Sequence, residues 1–480
     1  MSVSKDEIRA YLENRMTVGE EVLKAMTLYP QGGKLPTRSV FLVIDKYIRD
    51  FQSGRSTEPR WVAIPGLRGV GKTTLIAQLY NKINCKKFHK IYISLDEASR
   101  TLGVSINEIL NVYEKMLETS FEKLDDPVFI FLDEVQYDPS WGVTLKIIRD
   151  KAPKIFFVCT GSSALSLQTN PDVARRLSYA KLYPLNFTEY QMIKERIYPI
   201  RELGNKIRKA IFYSQTAEEA YKGLKEIESE ANKYWARVKD ADIDTYMKFG
   251  SLPFTIAIKQ EPLIYSQINQ TLNSVLNKDV PQLNTFTKET IDRLSQVLYS
   301  VASYEGTSFL TVSQTVGLDI KTVISIFEAL EKTELLLRIY PYGPPESQVR
   351  KPSKYLFTAP AFRAMYYNLV GSTTSFTEYK GKIFEDVVGL YLHRIFSMIT
   401  GSNITYDSAK GGADFIVGTT VADVGNIVIE ASLGQKNYKQ LFTTMKKTKA
   451  KYGVVISDDP IRLSQSKTAI SVPLKIFLLI

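Results

Sequence analysis

Residues Trp61 to Leu79 read WVAIPGLRGVGKTTLIAQL. The apolar opening, Trp61 to Ile64, predicts a buried strand. The loop that follows, Gly66-Leu67-Arg68-Gly69-Val70-Gly71-Lys72-Thr73, matches G-x-x-x-x-G-K-[ST] at every fixed position. Leu75, Ile76 and Leu79 then recur at helical spacing. Strand, loop and helix therefore come in the order a phosphate cradle requires. Glycines let backbone N–H groups converge on phosphate oxygens, and the helix N-terminus adds a favourable dipole. On this reading Lys72 reaches the β- and γ-phosphates of a nucleotide and the Thr73 hydroxyl ligates Mg²⁺, with Thr74 beside it.

A second constraint comes from Val128 to Gln136, VFIFLDEVQ. Its apolar run is what a central parallel strand buried on both faces should show. It ends in Asp133 and Glu134, where α/β sheets place their chemistry. Mg²⁺ favours oxygen ligands, so Asp133 is expected to hold it opposite Thr73, through water. Glu134 is expected to orient or deprotonate the attacking water. A further buried strand, Ile155 to Cys159, ends in Thr160-Gly161-Ser162-Ser163. Thr160, or else Ser162, would bond the γ-phosphate or the water; a helix-capping turn is an equal reading. Arg175 and Arg176 follow on a short helix, either to stabilise transferring phosphate charge or as a surface pair.

Composition sets the limits around this site. The 480 residues are 44% hydrophobic and 24% charged, long enough for about three domains with their own cores. No stretch approaches the ~20 apolar residues of a membrane span, and the charged N-terminus shows no signal peptide. Cys85 and Cys159 form no metal or disulfide pattern, and His89 and His393 stand far apart. A reduced, cytoplasmic setting without a membrane fits this usage. The net charge of +11 and pI near 9.2 leave DNA or a protein open as partner through basic surfaces. Lysines concentrate locally between Lys439 and Lys451. The oligomeric state is not encoded.

Along the chain, residues 1–35 read as a helical segment closed by a break at Tyr29–Gly33. Phe41, Leu42, Ile44, Ile48 and Phe51 mark a helix over Ser39–Phe51. A strand is expected over Lys90–Leu95. Ser105 with Glu108 predicts a capping box opening a helix to about Phe121. Tyr179 to Leu185 is expected to complete the sheet.

The succession GLRGVGKTT, FLDEVQ, TGSS, RR, YPLNFTEY and GSLPF resembles the prokaryotic, especially archaeal, AAA-type ATPases related to the STAND signalling NTPases. The resemblance covers roughly residues 36–260. It implies an α/β fold with a five-stranded parallel P-loop sheet carrying an extra strand between the Walker A and Walker B strands. It also implies ATP as the nucleotide, and a base contact for Pro253 from Gly250-Ser251-Leu252-Pro253, with a plain helix-start proline as the competing reading. The family's arginine follows a glycine. Here Ala174 precedes Arg175-Arg176, so which arginine acts is open.

The divisions that follow are a core over 36–190, a helical lid or spacer over 191–284, a winged helix over 285–372 and a nuclease-like domain over 373–480. In the winged helix, Leu294, Val297, Leu298 and Val301 form one face, Gly317 a turn, and Asp319 caps a helix carrying Val323, Ile326, Phe327 and Leu330. Leu335–Tyr340 and Tyr355–Phe357 would flank a wing loop; a structural lid is the first reading of this winged helix, with Arg338, Arg350, Lys351 and Lys354 as candidate phosphate contacts on the other. In the C-terminal part, Glu385, Asp414 and Glu430 resemble the acids of the PD-(D/E)xK nuclease fold, which hold Mg²⁺. The family's lysine position is Ser432 here, so the domain is expected to be degenerate; Lys436 and Lys439 lack the spacing. The last strand is expected over Val472–Ile480. The function expected is a Mg²⁺-dependent ATPase acting as a switch on a protein or DNA partner. The alternatives are a DNA-processing ATPase-nuclease and a non-hydrolysing nucleotide-bound module.

Overall fold

The computed structural model describes residues 3–86, 88–161, 171–284, 286–303, 308–369, 376–421, 425–433 and 438–480. The chain divides into two compact units, Met1–Tyr183 and Pro184–Ile480.

The first unit is built on a five-stranded sheet in the order β2-β3-β4-β1-β5. Its strands are β1 Trp61–Pro65, β2 Lys90–Ser94, β3 Val128–Asp133, β4 Ile155–Gly161 and β5 Ser178–Tyr179. All pairings are parallel. β4 therefore lies between the strand that enters the phosphate loop and the strand that ends in Asp133, as the resemblance implied. Strands β1, β3 and β4 are buried along their full length, which explains their nearly unbroken apolar sequences.

Helices cover both faces, and the period of two in the strands sorts their contacts. On one face lie α2 Ser39–Gln52 and α3 Lys72–Lys82. Phe51 of α2 packs against Phe129 and Phe156, and Tyr80 of α3 against Phe131. The alternate residues Trp61, Ala63, Ile130, Leu132 and Phe157 form the opposite core with Ile8 and Leu12 of α1 Lys5–Ala25. Ile109 and Tyr113 of α5 Ile106–Met116 join it, as does Leu145 of α6 Trp141–Lys151. A short helix α4, Leu95–Thr101, carries Asp96 and Glu97 away from the end of β2. Ser105 and Glu108 form the expected capping box.

Several local expectations shift. Leu42 is exposed, because the apolar stripe of α2 passes through Phe41, Ile44, Ile48 and Phe51 instead. Helix α5 stops at Met116, and Phe121 starts a separate 3₁₀ turn whose backbone N–H is taken by Glu114. The fifth strand is short, although Ala180 and Leu182 still donate to Ala63 and Pro65 of β1.

The second unit opens with helices Phe187–Glu195, Leu203–Phe212 and Ala217–Trp235. Later come three helices, Lys288–Ser303, Phe309–Val316 and Ile320–Lys332, and then an antiparallel hairpin of β6 Leu336–Pro341 and β7 Lys354–Phe357. Gly317 takes φ +70° in the turn between the last two of those helices, and Asp319 accepts the Thr322 N–H as cap. The connection from β6 to β7 contains a short helix, Pro345–Arg350, where an open loop was expected.

The hairpin continues into a mixed sheet, β12-β13-β11-β10-β9-β8-β6-β7. The added strands are β8 Asn403–Tyr406, β9 Phe415–Thr419, β10 Gly425–Ala431, β11 Tyr452–Ser457, β12 Arg462–Leu463 and β13 Ala469–Pro473. Helices Phe376–Phe396 and Lys439–Thr448 accompany them. The last strand ends at Pro473, and Leu474–Phe477 turns into a buried helix. A buried ion pair binds several of these pieces. Arg363 meets Asp386 at 2.5 and 2.9 Å and also donates to the Val301 and Ala302 carbonyls. Asp386 in turn accepts the Phe357 N–H of β7. Among the described residues, no helix is long and apolar enough to cross a membrane.

Candidate nucleotide site

The loop between β1 and α3 has the shape its glycines allow. Gly69 and Gly71 adopt φ of +87° and +96°, a region that disfavours side chains. A Cβ on Gly66 would sit 2.4 Å from the Leu182 carbonyl oxygen. Leu67 and Val70 are fully buried and anchor the loop from below, while Arg68 and Thr74 are half-buried. Arg38 braces it from α2's N-terminus, donating to the Val70 carbonyl at 3.1 Å and the Tyr183 carbonyl at 2.8 Å. The sequence carried no signal for that brace, since a lone arginine before a helix has no local signature.

Lys72 is buried, with Nζ donating to the Gly66 and Leu67 carbonyls at 3.0 and 3.3 Å. Its ammonium also lies 3.9 Å from Glu134 Oε1. Thr73 Oγ1 donates to Asp133 Oδ2 at 2.8 Å. The lysine, the threonine and both carboxylates are thus brought together as the sequence predicted.

Strand register assembles the rest. Leu132 pairs with Cys159 across β3 and β4, which sets Thr160 beside Asp133. The Thr160 hydroxyl donates to Asp133 Oδ1 and accepts the Glu134 backbone N–H at 3.1 Å. Ser162 lies outside the described residues. Tyr92, paired with Phe131 across β2 and β3, donates its hydroxyl to Asp133 Oδ2 at 3.0 Å. Sequence reading missed Tyr92 because only the register places it near Asp133. Glu134 sits at φ +57°, a strained backbone for a glutamate, and its carboxylate accepts from Gln136 Nε2.

Burial pushes the Asp133 carboxyl upward and Glu134 adds to this, against hydrogen bonds from Thr160 and Thr73 and the charge of Lys72. A buried carboxylate facing a hydroxyl, beside a lysine-lined loop, is a hard-oxygen donor set suited to Mg²⁺. The residues present fit that ion.

The arginine pair stands just beyond the short helix Pro171–Ala174 rather than on it. Arg175 is exposed. Arg176 is engaged by Asp150 at 2.9 Å through both Nε and Nη2, a structural ion pair within this unit. Pro253 belongs to the second unit, where it opens the turn Pro253–Thr255.

The second unit holds a separate charged cluster. Glu385 lies on the helix Phe376–Phe396, Asp414 just before β9 and Glu430 on β10. Lys354 of β7 reaches in among them, pairing with Glu385 and lying 3.4 Å from Asp414 Oδ1. It is therefore turned inward, unlike the exposed Arg350 and Lys351, and is removed from the expected wing contacts because two carboxylates solvate it in place of water. Burial pushes the Asp414 carboxyl up to about 7, with Lys354 opposing and Glu385 and Glu430 adding. Ser432 is buried, Lys439 is exposed, and Lys436 lies outside the described residues.

Residues 58–191 match a family model described as an AAA domain, and residues 240–371 match one described as Domain of unknown function (DUF8612). The chain is similar to Uncharacterized protein MJ1637 of Methanocaldococcus jannaschii, at 31% identity over 442 residues, covering 91% of this chain and 87% of that protein. Among solved structures it is similar to the Walker-type ATPase PABY2304 of Pyrococcus abyssi, at 11% identity and a TM-score of 0.42. That match covers 69% of this chain and 96% of the other. It is also similar to the Aeropyrum pernix ORC1 protein in complex with DNA, at 14% identity and a TM-score of 0.30, covering 69% and 92%.

Proposed function

The chain belongs to the same family as MJ1637 and carries an AAA-type P-loop ATPase domain, and from that premise we propose that it is a Mg²⁺-dependent ATPase whose nucleotide cycle acts on a protein or DNA partner. The observation that carries this reading is the convergence of Lys72, Thr73, Asp133, Glu134 and Thr160 at the C-terminal ends of adjacent parallel strands. The loop N–H groups and Lys72 bind the triphosphate, with Lys72 exchanging its carbonyl partners for phosphate oxygens. Thr73 and Asp133 would hold Mg²⁺. That ion supplies neutralisation of phosphate charge when bound. Glu134 accepts the proton of the attacking water, and Thr160 holds both acids in register through Asp133 Oδ1 and the Glu134 N–H.

Within the second unit, the three helices ending in Lys332 and the hairpin β6–β7 support a winged helix, here in a structural role. The mixed sheet bearing Glu385, Asp414 and Glu430 supports a nuclease-like, degenerate C-terminal part.

Steady-state ATP hydrolysis with Mg²⁺, with and without single- and double-stranded DNA, tests the reading. Turnover lost in Lys72→Ala is expected, and unchanged turnover in that variant overturns the site. Stimulation by DNA assigns the partner as nucleic acid, and indifference to it directs the search to proteins.

A further inference from the structure

The resemblance of the C-terminal strands to a metal-dependent nuclease fold implies a divalent cation among Glu385, Asp414 and Glu430. The residues present do not fit that ion. A side chain from another element already stands where it would bind. Lys354, at the start of β7, sends its ammonium to Glu385 Oε1 and to within 3.4 Å of Asp414 Oδ1. The other Asp414 oxygen accepts the Ala431 N–H at 3.0 Å. Among the described residues, no three carboxylate, imidazole or thiol side chains are grouped to hold a metal ion.

The surroundings of the ammonium are those of an organic cation. The rings of Tyr406 and Phe415 each lie 5.5 Å from Nζ. Aromatic faces attract an ammonium by cation–π interaction, whereas a hard divalent ion prefers oxygen ligands. The Lys354 side chain is only 12% exposed, so it is committed to this place rather than lying across a surface. Charge balance agrees. Glu385 and Asp414 both face the one ammonium, and buried acids need a nearby positive charge.

We propose that the Lys354 ammonium fills the place of the divalent cation, making Glu385, Asp414 and Lys354 an internal ion lock. The lock fastens the hairpin β6–β7 to the C-terminal strands and takes no metal while Lys354 is present.

Mn²⁺ binding to the full chain without nucleotide, counted by electron paramagnetic resonance, tests this. Wild type and Asp414→Asn are expected to bind equal numbers of Mn²⁺. Lys354→Met is expected to bind no more Mn²⁺ than wild type and to unfold at lower urea, a loss that Lys354→Met/Glu385→Gln partly recovers because it removes an acid left without its cation. Any Mn²⁺ at the phosphate loop is common to all these chains and cancels, so the ATPase reading stands or falls separately. An ion lost in Asp414→Asn relative to wild type overturns the proposal, as does a Lys354→Met chain as stable in urea as wild type. If Lys354→Met does not fold, the comparison of wild type with Asp414→Asn decides alone.

Discussion

The Thr73 hydroxyl donates to Asp133 Oδ2 across 2.8 Å, although 60 residues of chain separate the two. The first residue after the loop lysine and the last residue of β3 thus share a hydrogen bond. Thr73→Ala removes one hard oxygen from that pair. Its expected effect is a loss of at least about tenfold in affinity for ATP with Mg²⁺, and little change for ATP in EDTA. Calorimetric titration under both conditions checks it; equal losses would mean that Thr73 serves the phosphates alone.

Glu134→Gln keeps the size and the Gln136 contact but removes the proposed base. Turnover is expected to fall by about 10²–10⁴ with ATP binding retained. Single-turnover hydrolysis alongside a fluorescent-nucleotide binding curve separates the two quantities. Turnover within a factor of about two of wild type would remove Glu134 from the proton transfer.

Thr160 and Tyr92 both donate to Asp133, but only Thr160 also holds the Glu134 backbone. Thr160→Val should therefore lower kcat by about 10–100-fold, the scale of misplacing catalytic groups. Tyr92→Phe should chiefly weaken Mg²⁺ activation and leave kcat at saturating Mg²⁺ within about threefold. Rate measurements across a Mg²⁺ series distinguish these variants. Identical profiles for both would show that Thr160 acts only through Asp133.

Arg363 and Asp386 are both nearly fully buried and bound to each other. Burial pushes the Asp386 carboxyl up to about 6, with Arg363 and the Phe357 N–H opposing. Arg363→Met leaves that acid without its cation and should cost about 3–5 kcal/mol. Arg363→Met/Asp386→Leu should recover much of the loss. Urea unfolding of wild type, both single variants and the double variant measures the coupling; additive effects would dismiss the pair as a lock.

Asp407 supplies a pH test. Burial works against its charge, but Lys447, the Thr444 hydroxyl and the Ala409 N–H outweigh it and hold the carboxyl below the usual aspartate range. A carboxyl lowered on folding adds stability above its unfolded value near ~3.9 and loses it as pH falls through the folded value. Asp407→Asn should lower Tm by on the order of 3–6 °C at pH 7. The gap should close as pH falls through and below the folded value. A gap that stays constant as pH is lowered through the acid range would assign the effect to packing.

The arrangement of the catalytic candidates was readable in part because its signals are local. The phosphate loop needs glycines, a lysine and a threonine at set spacing, and β3 needs an apolar run ending in acids. Neither requirement involves distant residues. The order of strands around β4 came with the family resemblance, not from periodicity. Leu42 misled because an apolar residue on a helix is not thereby on its buried stripe. Arg176 misled because an arginine near a strand end answers equally well to a phosphate or to Asp150.

By itself the sequence determined the strand–loop–helix of the nucleotide site, the Asp133–Glu134 strand end and the capping of α5, since backbone conformation and burial period are written into adjacent residues. Only the tertiary structure decided that Tyr92 bonds Asp133, that Arg38 braces the loop and that Lys354 stands among Glu385 and Asp414. Those contacts join residues 41, 32, 31 and 60 positions apart. Such distances are closed by strand register and sheet order, which depend on the packing of the whole unit rather than on any one stretch of chain.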